Sequence, residues 1–281
     1  MQPFDTEFQS VKQLLDRETA RINNEDFIAN DPVQFPRRFS RLQDIEIVSF
    51  LCATIAWGKR SMICNNCEKM LAIMEGDPMG YVQEQAYEAL PDELNIHRTF
   101  FGRNMKHLLR GFHDIYAKYD SIDDFAASCR VADSDAPAWK LVEEMQRVMS
   151  AANDGRSDSR CLPTNLATTA LKRVNMALRW LVRTDGIVDM GVWHSVDQRQ
   201  LFVPLDVHVG DTARALGLVS RKANDRKTVV ELTEMLRLMR PDDPVAYDFA
   251  LFGIGIGDKY LRPDDGREVH LPHSTHAPCE A

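Results

Sequence analysis

The chain has no apolar run long enough to cross a bilayer, and it opens with polar and acidic residues instead of a signal-peptide core. A cytoplasmic protein is expected. Cysteine is sparse and scattered. Of Cys52, Cys64, Cys67, Cys129, Cys161 and Cys279, only Cys64 and Cys67 stand at CxxC spacing, and no second pair completes a zinc or iron-sulfur site. Reduced thiols are expected, with no metal and no other cofactor. Positive charge is in deficit too: a net charge of -8 excludes a protein that coats nucleic acid indiscriminately, because nonspecific affinity comes mostly from neutralised phosphates. A local basic cleft stays compatible with that balance. Internal repeats and low-complexity tracts are absent, and strand alternation is hard to find, which leaves an all-α fold.

Helical periodicity is what the sequence has in abundance. Apolar positions at helical spacing mark residues 6–22, 41–56, 61–75, 103–118 and 138–151. The polar, turn-rich stretch Ala152–Ser159 then reads as an internal loop. Residues 166–183 form the strongest helix, with Leu171, Val174, Leu178, Leu181 and Val182 on one face and Lys172, Met176, Arg179 and Arg183 on the other. Thr184–Phe202 reads as a long connection. Further helices are expected from Asp206, from Arg226 to Met239 and from Pro244 to Phe252, after which Gly253, Gly255 and Gly257 loosen the chain. A chain of 281 residues can bury one large core or two modest lobes. One bilobal, monomeric unit over 1–262 is expected, with an inner helical lobe from 46 to 175, a terminal lobe from 1–45 plus 176–262, and a flexible tail over 263–281.

Basic residues gather at Lys59-Arg60, at Arg103, Lys106, His107 and Arg110, along Lys172-Arg173 with Arg179 and Arg183, and at Arg221-Lys222 with Arg226-Lys227. Each cluster reads equally as a solvated helix face. Two residues stand out for chemistry. Asp206, between the bend at Pro204-Leu205 and an apolar-periodic run, is built as a helix N-cap. Lys172 has cationic neighbours that push its amine toward the neutral, nucleophilic form. The plainer alternatives are an ordinary cap and a member of a solvated basic face.

Val203-Pro204-Leu205-Asp206-Val207-His208-Val209, placed after the lysine-bearing helix and followed by Ala213-Arg214-Ala215-Leu216-Gly217-Leu218, resembles the signature of the helix-hairpin-helix DNA glycosylases. Within that superfamily it is most similar to the 8-oxoguanine DNA glycosylase branch. Leu171–Met176 with Leu178–Arg183, and Ala56-Trp57-Gly58-Lys59-Arg60, resemble a bacterial family of uncharacterised proteins attached to it. The likeness covers roughly residues 40–257. Two departures are plain: the glycine-bearing hairpin of the superfamily is replaced by Leu162–Lys172 without glycine, and Lys172 and Asp206 stand farther apart than in most members.

The resemblance implies a two-lobed helical fold with a site between the lobes, and a base-excision repair enzyme that removes an oxidised purine, 8-oxoguanine above all, from damaged double-stranded DNA. It makes Lys172 the Schiff-base nucleophile, with AP lyase activity following, and Asp206 the group that assists its deprotonation. His208 would reach a DNA phosphate, and Arg179 belongs to the same DNA-facing set. Arg60 would meet the base opposite the lesion, and Trp57 would wedge into the stack. Met176, Asp248 and Phe252 would line the base pocket. For Trp57, Met176 and Phe252 simple core packing is the competing reading. A non-catalytic DNA-structure binder on the same fold and a protein-interaction scaffold are the rival functions.

Overall fold

The computed structural model describes residues 6–257; the tail expected over 263–281, like Cys279, lies outside them. The fold is all-α. In chain order its helices are α1 (Thr6–Ile22), α2 (Glu25–Ala29), α3 (Leu42–Thr54), α4 (Arg60–Ile73), α5 (Pro78–Gln83), α6 (Gly102–Tyr116), α7 (Ile122–Ser128), α8 (Pro137–Ala151), α9 (Lys172–Val182), α10 (Val207–Ala215), α11 (Arg226–Met239) and α12 (Tyr247–Ile256). A two-stranded antiparallel ribbon, Asn95–His97 (β1) with Phe100–Phe101 (β2), was not visible as alternation because it is too short to show a period. Among the described residues no helix is long and apolar enough to cross a membrane.

Local chemistry accounts for most boundaries. Pro137 opens α8 at a position where its missing N–H costs nothing. The side chains of Ser121, Asp206 and Asp225 cap α7, α10 and α11 by accepting backbone N–H groups that have no partner within the helix. The helix expected from 166 starts only at Lys172, because Leu171 at its N-cap takes a left-handed conformation, φ 51°, that stops the helix from extending backward.

Helix α9 runs through the middle of the molecule. It packs along α3, while α6 packs on α8, α1 on α12, and α12 on α10. The first and last described helices are thus neighbours, and one continuous apolar core runs beneath all of them. The lobe boundaries drawn at 46 and 175 fall inside α3 and α9, helices that pack on each other. Gly253 and Gly255 lie within α12 and tighten it against its neighbours, which corrects the expectation that they loosen the chain. A Cβ on Gly253 would stand 2.0 Å from Ile22 Cδ1, and one on Gly255 2.9 Å from the His208 carbonyl oxygen. Only Gly257, with φ 65°, ends the helix.

The long connection after α9 folds back along that helix. Met190 N–H donates to the Trp180 carbonyl and Trp193 N–H to the Leu181 carbonyl, each at 2.8 Å. Its far side is held by two buried carboxylates. Glu46 of α3 accepts from Trp193 Nε1 (2.8 Å), Tyr116 Oη (2.9 Å) and the backbone N–H groups of Ile122 and Asp123. Burial pushes its carboxyl up to about 7 against these donors, which favour the ionised form. Asp123 accepts from the backbone N–H groups of His194 and Ser195. Pinned in this way, the connection delivers the chain to Asp206.

The contact at Gly253 is testable. Gly253→Ala is expected to lower stability by about 1–3 kcal/mol by forcing α1 and α12 apart. Ile22→Val deletes the methyl that the new Cβ would strike, so the double variant should unfold in urea closer to wild type than two independent losses would allow.

Candidate active site

The left-handed turn at Leu171 places Lys172 in the first turn of α9, where its side chain enters a cleft of about 920 Å³. The cleft walls come from segments distant in sequence: Phe27 with Asp31 and Pro32, the 56–63 segment, α9, the 204–209 segment, Asn224, and α12. Every residue singled out from the sequence lines it: Lys172, Asp206, His208, Arg60, Trp57, Arg179, Met176, Asp248 and Phe252.

Their settings differ. The Lys172 amine lies 3.5 Å from the Ala56 carbonyl oxygen and 3.4 Å from Met176 Sδ. Burial lowers its pKa from the usual 10.5; the charge of Asp206 opposes this most, then those of Asp248 and Asp31, while Arg173 assists it. Asp206 accepts from Val209 N–H at 2.9 Å, so the cap holds its carboxylate in place. Asn224 donates to the Asp206 carbonyl oxygen (3.1 Å) and fixes the same turn from the other side. His208 is exposed at the mouth, its ring edge-on to Phe252 with centroids 6.3 Å apart.

Arg60, at the start of α4, pairs with Asp31 at 3.2 Å and sits over the rings of Phe27 (5.5 Å) and Phe252 (5.4 Å). Trp57 is half-buried. It packs edge-on to His97 at 4.7 Å and under the Arg173 guanidinium at 5.4 Å, so packing already occupies much of its surface.

Arg179 corrects the expected basic stripe. Periodicity placed it with Arg183 on a solvated face, yet the two are only 4% and 1% exposed. Arg179 binds Asp189 (3.2 Å) and Asp248 and stacks on Phe249 at 4.2 Å. Arg183 binds Asp243, Asp185 and Asp189. Both faces of α9 are therefore core, and Arg179 reaches the cleft wall with its charge already paired, so it is not a free DNA contact. Asp248 forms the floor. Burial pushes its carboxyl up to about 6, with Arg179 pulling the other way.

Asp31, Phe27 and Asn224 belong to the cleft and were not singled out from the sequence. Asp31 before Pro32 carries only a cap signal, and it does cap the turn it precedes, accepting from Val33 N–H at 3.0 Å. Nothing in that pattern indicates that its other oxygen meets Arg60. Among the described residues no cluster of His, Cys, Asp and Glu could hold a metal ion. What the arrangement offers is a desolvated amine beside fixed carboxylates in an open, mixed polar and apolar cleft.

Asp189 comes from the connection, is fully buried, and answers both arginines. Asp189→Asn should cost about 3–5 kcal/mol, because it leaves buried positive charge uncompensated. Chemical denaturation reads this directly; a loss below about 1 kcal/mol would mean that Asp243 and Asp248 suffice without it.

The family described as Protein of unknown function (DUF2400) matches residues 31–257. No curated protein and no solved structure matches the chain. The match begins at Asp31 on the cleft wall and ends at Gly257, where α12 stops, so it covers all of the cleft lining except Phe27, and the chain belongs to this family.

Proposed function

We propose that the protein is a base-excision DNA glycosylase with AP lyase activity, acting on an oxidised purine of the 8-oxoguanine kind. The observation that carries this reading is the Lys172 amine: burial lowers its pKa, and among the charges acting on it Asp206 is the strongest opposing one. An amine must be neutral to attack, and this site favours the neutral form. The resemblance to the helix-hairpin-helix glycosylases, and the gathering of the residues it singles out around one cleft, support the same chemistry.

On this reading a damaged nucleotide leaves the duplex and enters the cleft. The neutral Lys172 amine attacks the sugar C1′, the bond from C1′ to the base breaks, and the base departs with the bonding electrons and takes up a proton. Asp206 accepts the proton that the amine loses and stabilises the positive charge that builds on the sugar. Ring opening then gives the imine on which strand cleavage proceeds. Met176 and Phe252 offer apolar surface to the base, and Asp248 offers a carboxyl that a pKa of about 6 leaves partly protonated just below neutrality. His208 meets a phosphate at the mouth together with N–H groups of the first turn of α10. The protein works as a cytoplasmic monomer, nucleoid-associated when acting.

Borohydride trapping on duplexes carrying 8-oxoguanine, an abasic site, uracil or an oxidised pyrimidine tests the reading. A covalent adduct is expected on the first two substrates and none with Lys172→Gln. Absence of any adduct or base release on all four would falsify the catalytic reading and leave a DNA-structure binder.

The pH profile carries a second expectation. With the Lys172 pKa below 10.5, the trapping rate should rise with pH and level off before that value. The Asp206 charge raises the lysine pKa, so Asp206→Asn should move the rising limb to lower pH while slowing the reaction by about 10²- to 10⁴-fold. A limb that stays put would separate Asp206 from the amine.

A further inference from the structure

The basic cluster of α6 and the polar loop Ala152–Ser159 meet in the fold, away from the cleft. Arg103, Lys106, His107 and Arg110 face Arg156 and Arg160 across a second concavity of about 460 Å³. Five cationic side chains line it against three carboxylates, Asp92, Asp154 and Asp158. In a chain of net charge -8 this is a local reversal of sign. Lys106 pairs with Asp92, Arg103 with Glu93 at 2.8 Å, and Arg110 with Glu88 at 2.6 Å. Arg156 and Arg160 are exposed and form no ion pair among the described residues.

His107 adds a further polar group to the wall of the basin. Its residue is 9% exposed, and its carbonyl accepts from Asn153 Nδ2 at 3.1 Å, yet its ring nitrogens have no hydrogen bond among the described residues. Burial lowers its pKa, against Asp158 and with Arg110, so it would meet a ligand as a neutral N–H donor.

The basin also connects to the cleft. Arg173, the residue after Lys172, donates to the carbonyl oxygens of Thr54 (2.7 Å) and Arg160 (3.1 Å). Arg160 thus holds the cleft wall through its backbone and faces the basin with its side chain. A hollow of about 320 Å³, lined among others by Cys161–Pro163 and Thr169–Arg173, adjoins the cleft at Lys172 and Arg173.

We propose that this basin binds a backbone phosphate of the strand whose damaged nucleotide occupies the Lys172 cleft, with Arg156, Arg160 and His107 as its contacts. The assignment rests on the DNA-repair reading and extends its footprint beyond the cleft, along the segment from 160 to 173.

Fluorescence anisotropy of a duplex carrying a tetrahydrofuran abasic analogue, titrated over a range of salt concentrations, reads the contact. Arg156→Gln with Arg160→Gln should reduce the slope of log K against log salt by about 2 and weaken binding at least about 10-fold near 0.1 M salt. Lys118→Gln, beyond the far end of α6, should leave both unchanged. At saturating concentrations of a second duplex, carrying a natural abasic site, the double variant should form the borohydride adduct at the wild-type rate, as a binding defect requires and a folding defect does not. A double variant with wild-type slope and affinity overturns the basin and leaves the Lys172 chemistry standing. A wild-type protein that binds through Arg156 and Arg160 but traps nothing keeps the basin and removes the glycosylase. A wild-type protein without affinity for the duplex overturns both.

Discussion

Two guanidinium groups buried at the end of one helix set the terms for the rest of this fold. Arg179 stands on α9 and Arg183 caps its C-terminus, both in the core, where an unpaired cation would not be tolerated. Their partners cannot come from α9 itself. Asp185 and Asp189 arrive on the connection that follows, Asp243 just before α12, and Asp248 on α12. Satisfying the arginines therefore requires the connection to double back and α12 to dock, and those two movements bring Asp206 and the cleft floor to Lys172.

The same pairing sorts the charges of the cleft by task. Arg179 and Asp248 hold each other, and Arg60 pairs with Asp31, so much of the strong charge around the amine is already matched. The Lys172 amine has a carbonyl and a thioether as its hydrogen-bond partners, neither of which carries a charge to match its own. Asp206 is held by a helix N-terminus and needs no basic partner of its own. Lys172 is thus desolvated and Asp206 held by its cap, with no direct ion pair between them among the described residues.

Much of this was legible in the sequence, and the failures share a cause. The span of α1 followed from apolar spacing, that of α11 from its stop before Pro241, and the Asp206 cap from an aspartate set between a proline bend and a periodic run. The resemblance then named residues that the fold gathers around one cleft. Periodicity misread the Arg179 face, since a stripe of long basic side chains looks the same whether water or carboxylates from elsewhere answer it. It misread Gly253 and Gly255 for a similar reason: a glycine that lets helices approach and a glycine that frees the backbone are the same letter. Asp31 was passed over because its local signal, a cap before proline, is complete without its tertiary partner Arg60. In each case the deciding contact lies far away in the chain.

The cleft draws its walls from residues near 30, 57, 172, 206 and 250, so it does not exist until the two ends of the described chain meet. Contacts of such sequence separation form late, after the entropy of closing long loops has been overcome. During synthesis Lys172 leaves the ribosome well before α12. Until α12 docks, the cleft lacks its floor at Asp248, and the burial that lowers the Lys172 pKa is incomplete. The chemistry proposed for Lys172 is thereby tied to completed folding, because the nascent chain carries the lysine before it carries the cleft.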